Sequence, residues 1–222
     1  MNRDQVRSAV LSELRSVPEF AGFVAATPVL GLAPRGDGHP VLVLPGWTAD
    51  DRSTRPLRWY LRTLGYEAHG WGLGTNRGPD ERSLTELGRR LGELDDGRGV
   101  SLVGWSLGGV YARLLAQRQA SSVRLVVTLG SPIRSSAAAA RALPVPSTSI
   151  YSRSDAVVPW RHSLDQAGDR SENIEVRGSH LGLGHNASAL YVVADRLAQP
   201  RDRWRPFRPP APLRALYPTP AQ

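Results

Sequence analysis

The order of apolar segments predicts an α/β fold: one parallel sheet of about six strands with helices on both faces. Three observations carry that prediction. Continuous apolar runs such as Val41-Leu42-Val43-Leu44 and Val123-Arg124-Leu125-Val126-Val127-Thr128-Leu129 suit strands buried on both faces. Between such runs lie leucines at helical spacing: Leu57, Leu61 and Leu64, then Leu84, Leu87, Leu91 and Leu94. Finally, Val100-Ser101-Leu102-Val103 runs through Gly104-Trp105-Ser106-Leu107-Gly108 into the helical stretch Val110-Tyr111-Ala112-Arg113-Leu114-Leu115-Ala116, which places Ser106 at a sharp strand-to-helix turn.

Residues 1–39 read as an N-terminal segment packed on the body, with capping of the functional site as the alternative. Val6, Val10 and Leu14 share one face of a short helix that Pro18 ends, and Phe20 to Leu32 reads as an apolar connector without a clear period. Residues 40–199 read as the main domain. Its first strand ends at Pro45-Gly46-Trp47, and Ser53 or Thr54 can cap a helix with Pro56 in its first turn. Tyr66-Glu67-Ala68-His69 follows as a short strand. The loop from Gly72 to Gly78 superficially suggests a dinucleotide-binding turn, but its third glycine comes one residue late and Pro79 follows at once, so a pocket-lining loop is the better reading. Gly97 closes the leucine-striped helix. Only the short Ala-rich segment from Ser131 to Leu143 separates the strand ending at Leu129 from Thr148-Ser149-Ile150-Tyr151, which leaves no room for a large lid. Ile174-Glu175-Val176 is the last strand, and Leu190, Ala194 and Leu197 mark the last helix. Residues 200–222 form a Pro/Arg-rich tail whose Trp204, Phe207, Leu213 and Tyr217 leave docking and disorder both open.

Composition narrows the chemistry. The chain of 222 residues is 41% hydrophobic and 22% charged, ordinary for a soluble globular protein. It contains no cysteine, which excludes disulfides, thiolate metal sites and a cysteine nucleophile. It also contains no lysine, so arginine carries all of the side-chain positive charge behind the net +8. No basic run or aromatic-interleaved recognition motif accompanies that charge, so solvated surface is the expected role and no nucleic-acid partner is expected. Weak peripheral membrane contact stays open. Asp4, Arg7, Glu13 and Arg15 interrupt every candidate signal core, and Pro28 breaks the longest apolar stretch, so the expectation is a cytoplasmic protein without a transmembrane segment. The oligomeric state is not readable.

The glycines around Ser106 occupy positions where a Cβ would collide as strand and helix close, and the strained turn lifts the hydroxyl clear of the sheet. A serine nucleophile needs a base, and the base needs an acid to hold its tautomer. His180 follows the last strand, where the loops meet this turn, and is the best base. His185 reads as structural and His162 as part of a short helix. Asp155 comes just past a strand and is the best acid, against a turn or an Arg153 salt bridge as its ordinary role; Asp165, Asp169 and Glu172 read as surface or turn residues. The backbone N–H groups of Leu107 and Trp47 are the candidate oxyanion donors, a class of contact worth about 3 to 4 kcal/mol each.

These stretches, with Gly130-Ser131 and Gly178-Ser179-His180-Leu181-Gly182-Leu183, resemble the α/β-hydrolase superfamily, in particular the small bacterial serine esterases and lipases that lack a lid. The likeness runs from Val41 to about Leu197. It implies Ser106 as nucleophile, Asp155 as acid, His180 as base, and Trp47 and Leu107 as oxyanion donors. Where those lipases usually carry His-Gly, this chain has Pro45-Gly46, which keeps the turn and removes a polar side chain. The expected function is hydrolysis of carboxylic esters through an acyl-enzyme, with no cofactor or metal. Trp47, Ile133, Val157 and Leu181 are expected to bind a small apolar ester. Acyl transfer or thioester hydrolysis would use the same residues. A rival of another class is a non-catalytic scaffold for an apolar ligand or membrane.

Overall fold

The computed structural model describes residues 16–218. Six parallel strands, β1 (Pro40–Leu44), β2 (Glu67–Gly70), β3 (Val100–Trp105), β4 (Val123–Leu129), β5 (Ser147–Tyr151) and β6 (Ser171–Glu175), form one sheet in the order β2-β1-β3-β4-β5-β6. Around it lie α1 (Ser16–Leu30), α2 (Arg55–Thr63), α3 (Glu81–Leu94), α4 (Leu107–Arg118) and α5 (Ala187–Leu197). The expected α/β architecture and strand number are those observed, with no large lid among the described residues.

The two-residue period of a strand sorts the core into two layers. Val41, Val43, Val103 and Val127 face α1, α2 and α5, where Leu57, Leu61, Leu190 and Val193 meet them. Leu42, Leu44, Leu102 and Val126 face α3 and α4, against Leu84, Leu87, Tyr111 and Leu115. Both layers are buried, which is why these strands read as continuous apolar runs rather than alternating ones. Each fully buried Val or Leu contributes about 1.5–3 kcal/mol. At the start of β4 the pairing with β3 slips between Val100 and Ser101. Arg124 falls at the slip, and its guanidinium meets Asp37 Oδ2 at 2.8 Å and the Gln199 carbonyl at 2.8 Å.

Several expectations change. The helix over Val6, Val10 and Leu14 lies outside the described residues. The connector expected from Phe20 to Leu32 is instead mostly helical, since α1 runs unbroken past Pro18 to Leu30. Pro18 stands in the first turn of the described helix, a position proline tolerates. Phe23 and Leu30 are buried with Ala26 between them, but Val17, Phe20 and Val24 on the other side are apolar and exposed. An apolar outer face erases the amphipathic contrast that reveals a helix in sequence. Thr54 is the residue before α2, yet its side chain makes no cap bond. The tail is docked: Phe207 and Tyr217 pack on the core, the Phe207 N–H donates to Glu172 Oε2 at 2.7 Å, and the Tyr217 hydroxyl donates to the Ser188 carbonyl at 3.0 Å. Glu172, expected at the surface, therefore joins the tail to Arg196, 2.8 Å away.

Asp165 is likewise buried rather than exposed. Its carboxylate pairs with Arg113 of α4 at 2.6 Å and accepts from Ser147 Oγ at 2.6 Å, while Arg113 also donates to the carbonyls of Ala139 and Arg141. The pair ties α4, β5 and the Ala-rich segment together. Removing one member leaves a buried charge unpartnered, so Arg113→Leu should lower stability by about 3–5 kcal/mol in denaturant titration. A loss under about 1 kcal/mol would show that the pair is not holding these elements.

Also at the amino end of the sheet, His39 is buried and shares its ring between Asp37 Oδ1, 2.5 Å from Nδ1, and Ser101 Oγ, 2.8 Å from Nε2. Burial outweighs the Asp37 contact and holds the imidazole below its ordinary value of 6.5. For Asp37, burial acts to raise the carboxyl, but the hydrogen bonds from His39 and Arg124 prevail and hold it well below the carboxylate range. A histidine depressed in the folded state takes up its proton first in the unfolded chain. Its contribution is complete above about 6.5 and is lost as pH falls toward the folded value. Stability should therefore decline from pH 7 to pH 5, and His39→Gln should flatten that decline; an unchanged slope in the variant would assign it to other groups.

Candidate active site

The site stands at the carboxyl ends of the strands. Ser106 follows β3 and precedes α4 with φ 53° and ψ −123°, a backbone conformation costly for a residue with a side chain. Its N–H donates to the Leu129 carbonyl at 2.8 Å, which pins the turn to β4. A Cβ on Gly104 would fall well inside contact with the Gly108 backbone, and one on Gly108 inside contact with the Leu44 carbonyl. The helix thus approaches β1 and β3 as closely as backbone allows.

His180 and Asp155 converge on this turn from loops beyond β6 and β5. His180 Nε2 lies 2.9 Å from Ser106 Oγ, and Nδ1 lies 2.7 Å from Asp155 Oδ2. The other carboxylate oxygen of Asp155 accepts the N–H groups of Val157 at 2.9 Å and Val158 at 2.7 Å. Arg153 does not compete for it, because its guanidinium pairs with Glu175 at 3.0 Å. Both the histidine and the aspartate are nearly inaccessible to solvent, with side chains 5% and 2% exposed. The Trp105 indole donates to the His180 carbonyl at 3.1 Å. Ser152 Oγ donates to the Gly178 carbonyl at 2.7 Å, joining the aspartate loop to the histidine loop. Gly130 has φ +52°, and a Cβ there would stand 3.0 Å from Asp155 Oδ2 and 3.3 Å from His180 Nδ1. Only glycine combines that backbone with that proximity.

Gly46, which precedes Trp47, lies against the nucleophile, a Cβ there standing 3.2 Å from that of Ser106, and among the described residues neither the Trp47 nor the Leu107 backbone N–H donates to another group. Leu107 begins α4, where the first N–H groups have no partner within the helix. The Trp47 loop is held from the glycine-rich segment: Thr48 N–H donates to the Asn76 carbonyl at 2.7 Å, and Asn76 Nδ2 donates to the Pro45 carbonyl at 2.8 Å. The segment from Gly72 to Gly78 therefore braces the loop through a buried asparagine, and its Leu73, Thr75 and Arg77 line a cavity of about 790 Å³.

Around Ser106 the expected apolar residues divide. Trp47, Val157 and Leu181 are 66%, 55% and 46% exposed, beside Gly46, Asp155 and His180 in the chain. Ile133, 1% exposed, is packed with Val110 and Ala139 and offers no surface to a ligand. His185 Nε2 meets the Ser16 carbonyl at 3.0 Å, and His162 Nδ1 meets Ser135 Oγ at 3.2 Å, both away from Ser106. Sequence reasoning missed the Trp105, Ser152, Gly130 and Asn76 supports, whose partners are all distant in the chain or belong to the backbone.

No protein-family model matches the chain, and no curated protein matches it. Solved structures do. A structure from the metagenome-derived lipolytic enzymes LipS and LipT has 14% identity, with 73% of this chain and 93% of that chain covered and a TM-score of 0.56. MGS-MChE2, an α/β hydrolase from the sediment metagenome of the Mar Chica lagoon in Morocco, has 17% identity, coverage of 72% and 90%, and a TM-score of 0.52. The thioesterase domain from the curacin biosynthetic pathway has 13% identity, coverage of 73% and 93%, and a TM-score of 0.52.

This chain has the α/β-hydrolase fold.

In an α/β-hydrolase fold the sharp turn after the central strand is its most demanding backbone feature. Gly108→Ala should lower stability by more than about 1 kcal/mol, because the added methyl meets a main-chain carbonyl that cannot rotate away. An equally stable Gly108→Ala protein would be incompatible with the close approach of α4 to β1.

Proposed function

We propose that this protein is a serine hydrolase that cleaves carboxylic esters through a covalent acyl-enzyme. The observation that supports this reading best is the unbroken line from Ser106 Oγ through both His180 ring nitrogens to Asp155, beside two uncommitted backbone N–H groups. On this reading His180 Nε2 accepts the Ser106 proton as Oγ attacks the ester carbonyl carbon. Charge that builds on the carbonyl oxygen is met by the Trp47 and Leu107 N–H groups. His180 then protonates the departing alkoxide, and water repeats the sequence on the acyl-enzyme to release the acid. Asp155 holds Nδ1 protonated and stabilises the imidazolium. The exposed Trp47, Val157 and Leu181 favour an uncharged ester with an apolar acyl group. A thioester would use the same groups, and two solved neighbours described as thioesterase domains make it the second substrate class to offer.

A fluorophosphonate probe should label Ser106, and p-nitrophenyl esters should be hydrolysed. Ser106→Ala should abolish both while leaving the melting temperature nearly unchanged. His180→Ala should lose on the order of 10³-fold or more in kcat, Asp155→Asn much of the rate, and His185→Ala little. Absence of labelling would favour a non-catalytic scaffold, and a dead His185→Ala variant with an active His180→Ala would refute the assigned base.

A further inference from the structure

The histidine loop is gripped by a residue from the far end of the chain. Glu19 lies on α1, outside the stretch that resembles known hydrolases, and its carboxylate faces the segment from Gly178 to Gly182. The Ser179 N–H donates to Glu19 Oε1 at 2.8 Å, and Ser179 Oγ donates to Oε2 at 2.9 Å. Ser179 Oγ in turn accepts the Gly182 N–H at 3.0 Å. A Cβ on Gly182 would collide with Glu19 Oε2, so the space a side chain would take there is filled by the carboxylate. His180 sits between these two anchored residues, and its own carbonyl is held by the Trp105 indole. The loop carrying the imidazole is thus fixed from α1 on one side and from β3 on the other.

We propose that Glu19 is a positioning residue for His180, setting the imidazole in line between Ser106 and Asp155 without touching substrate. This rests on the reading of Ser106 as a nucleophile with His180 as its base. The loop needs such a hold because it leaves β6 as irregular backbone, whose place is set by side chains reaching it from elsewhere in the fold, Ser152 and Trp105 among them. A charged acceptor that takes one main-chain and one hydroxyl hydrogen bond supplies a stronger restraint than a neutral one. Displacement of a base by about 1 Å can cost on the order of 10²-fold in rate, so the effect should fall on kcat rather than on substrate binding.

Steady-state hydrolysis of a p-nitrophenyl ester and the rate of fluorophosphonate labelling should be measured for wild type, Glu19→Ala, Glu19→Gln, Ser179→Ala and Phe20→Ala, well below each melting temperature. Phe20, whose ring packs on His185 and Phe23, serves as the control for loosened docking of α1. Glu19→Ala should lose about tenfold or more in kcat and in labelling rate with KM changed less than about twofold. Ser179→Ala should lose part of this. Glu19→Gln, which keeps an acceptor for the Ser179 N–H, should recover most of the rate, and Phe20→Ala should keep wild-type kcat. If Glu19→Ala does not fold, the Gln and Ser179→Ala variants still decide the matter. Wild-type kcat in Ser179→Ala together with a loss in Phe20→Ala would reduce Glu19 to a helix anchor and overturn the proposal. Failure of wild type to label at Ser106 would instead remove the reading on which it rests.

Discussion

The turn at Ser106 is the constraint from which the rest of the molecule follows. Its backbone conformation costs on the order of 1–3 kcal/mol for a residue with a side chain. Such strain persists only where the surroundings over-determine it. Here β1, β3 and β4 must lie side by side, since the turn is hydrogen-bonded to Leu129 and wedged between Gly104 and the Leu44 carbonyl. The two apolar layers press on the sheet from both faces and keep those strands in register. A looser core would let the turn relax, and the serine hydroxyl would no longer stand within hydrogen-bond distance of His180.

The two ends of the sheet are stabilised differently. At the carboxyl end, loops are joined to one another by side chains bonding to backbone: Ser152 to Gly178, Asn76 to Pro45, Trp105 to His180. These contacts fix position. At the amino end, Asp37, His39, Ser101 and Arg124 form a polar cluster around the start of the strands, and the buried Arg113–Asp165 pair braces one flank. Strands of five to seven residues at about 3.3 Å each keep the amino-end cluster roughly 15–20 Å from Ser106. The amino-end contacts can therefore be altered without touching the groups of the proposed chemistry.

Much of this was legible in the sequence because the signals were local and redundant. Val41 to Leu44 could be read as a doubly buried strand from four residues, and the Gly-Trp-Ser-Leu-Gly turn carries its own geometry. His180 and Asp155 could be placed because each closely follows a strand. What stayed hidden depends on partners far away in the chain. Asp165 looks like a turn residue until Arg113 is folded onto it, 52 positions away, and Glu19 meets Ser179 across 160. Ile133 has the composition of a pocket wall, but the short turn that carries it points inward toward Val110. For α1 the missing signal was contrast, since both of its faces are apolar.

The docked tail bears on how the protein keeps to itself. β6 is one of the two edge strands, paired only with β5, and such a strand offers free main-chain groups to any other chain that approaches. Residues of the tail line a cavity of about 530 Å³ with Glu172, Asn173, Ile174 and Glu175, so the tail runs beside this strand. Its prolines at 206, 209, 210 and 212 have no N–H to donate, and the Phe207 N–H goes to a side chain instead of the strand. The tail screens the border of the sheet without becoming a seventh strand. A chain cut short at Pro200 would bare that border and, with it, the part of the core on which Phe207 and Tyr217 rest.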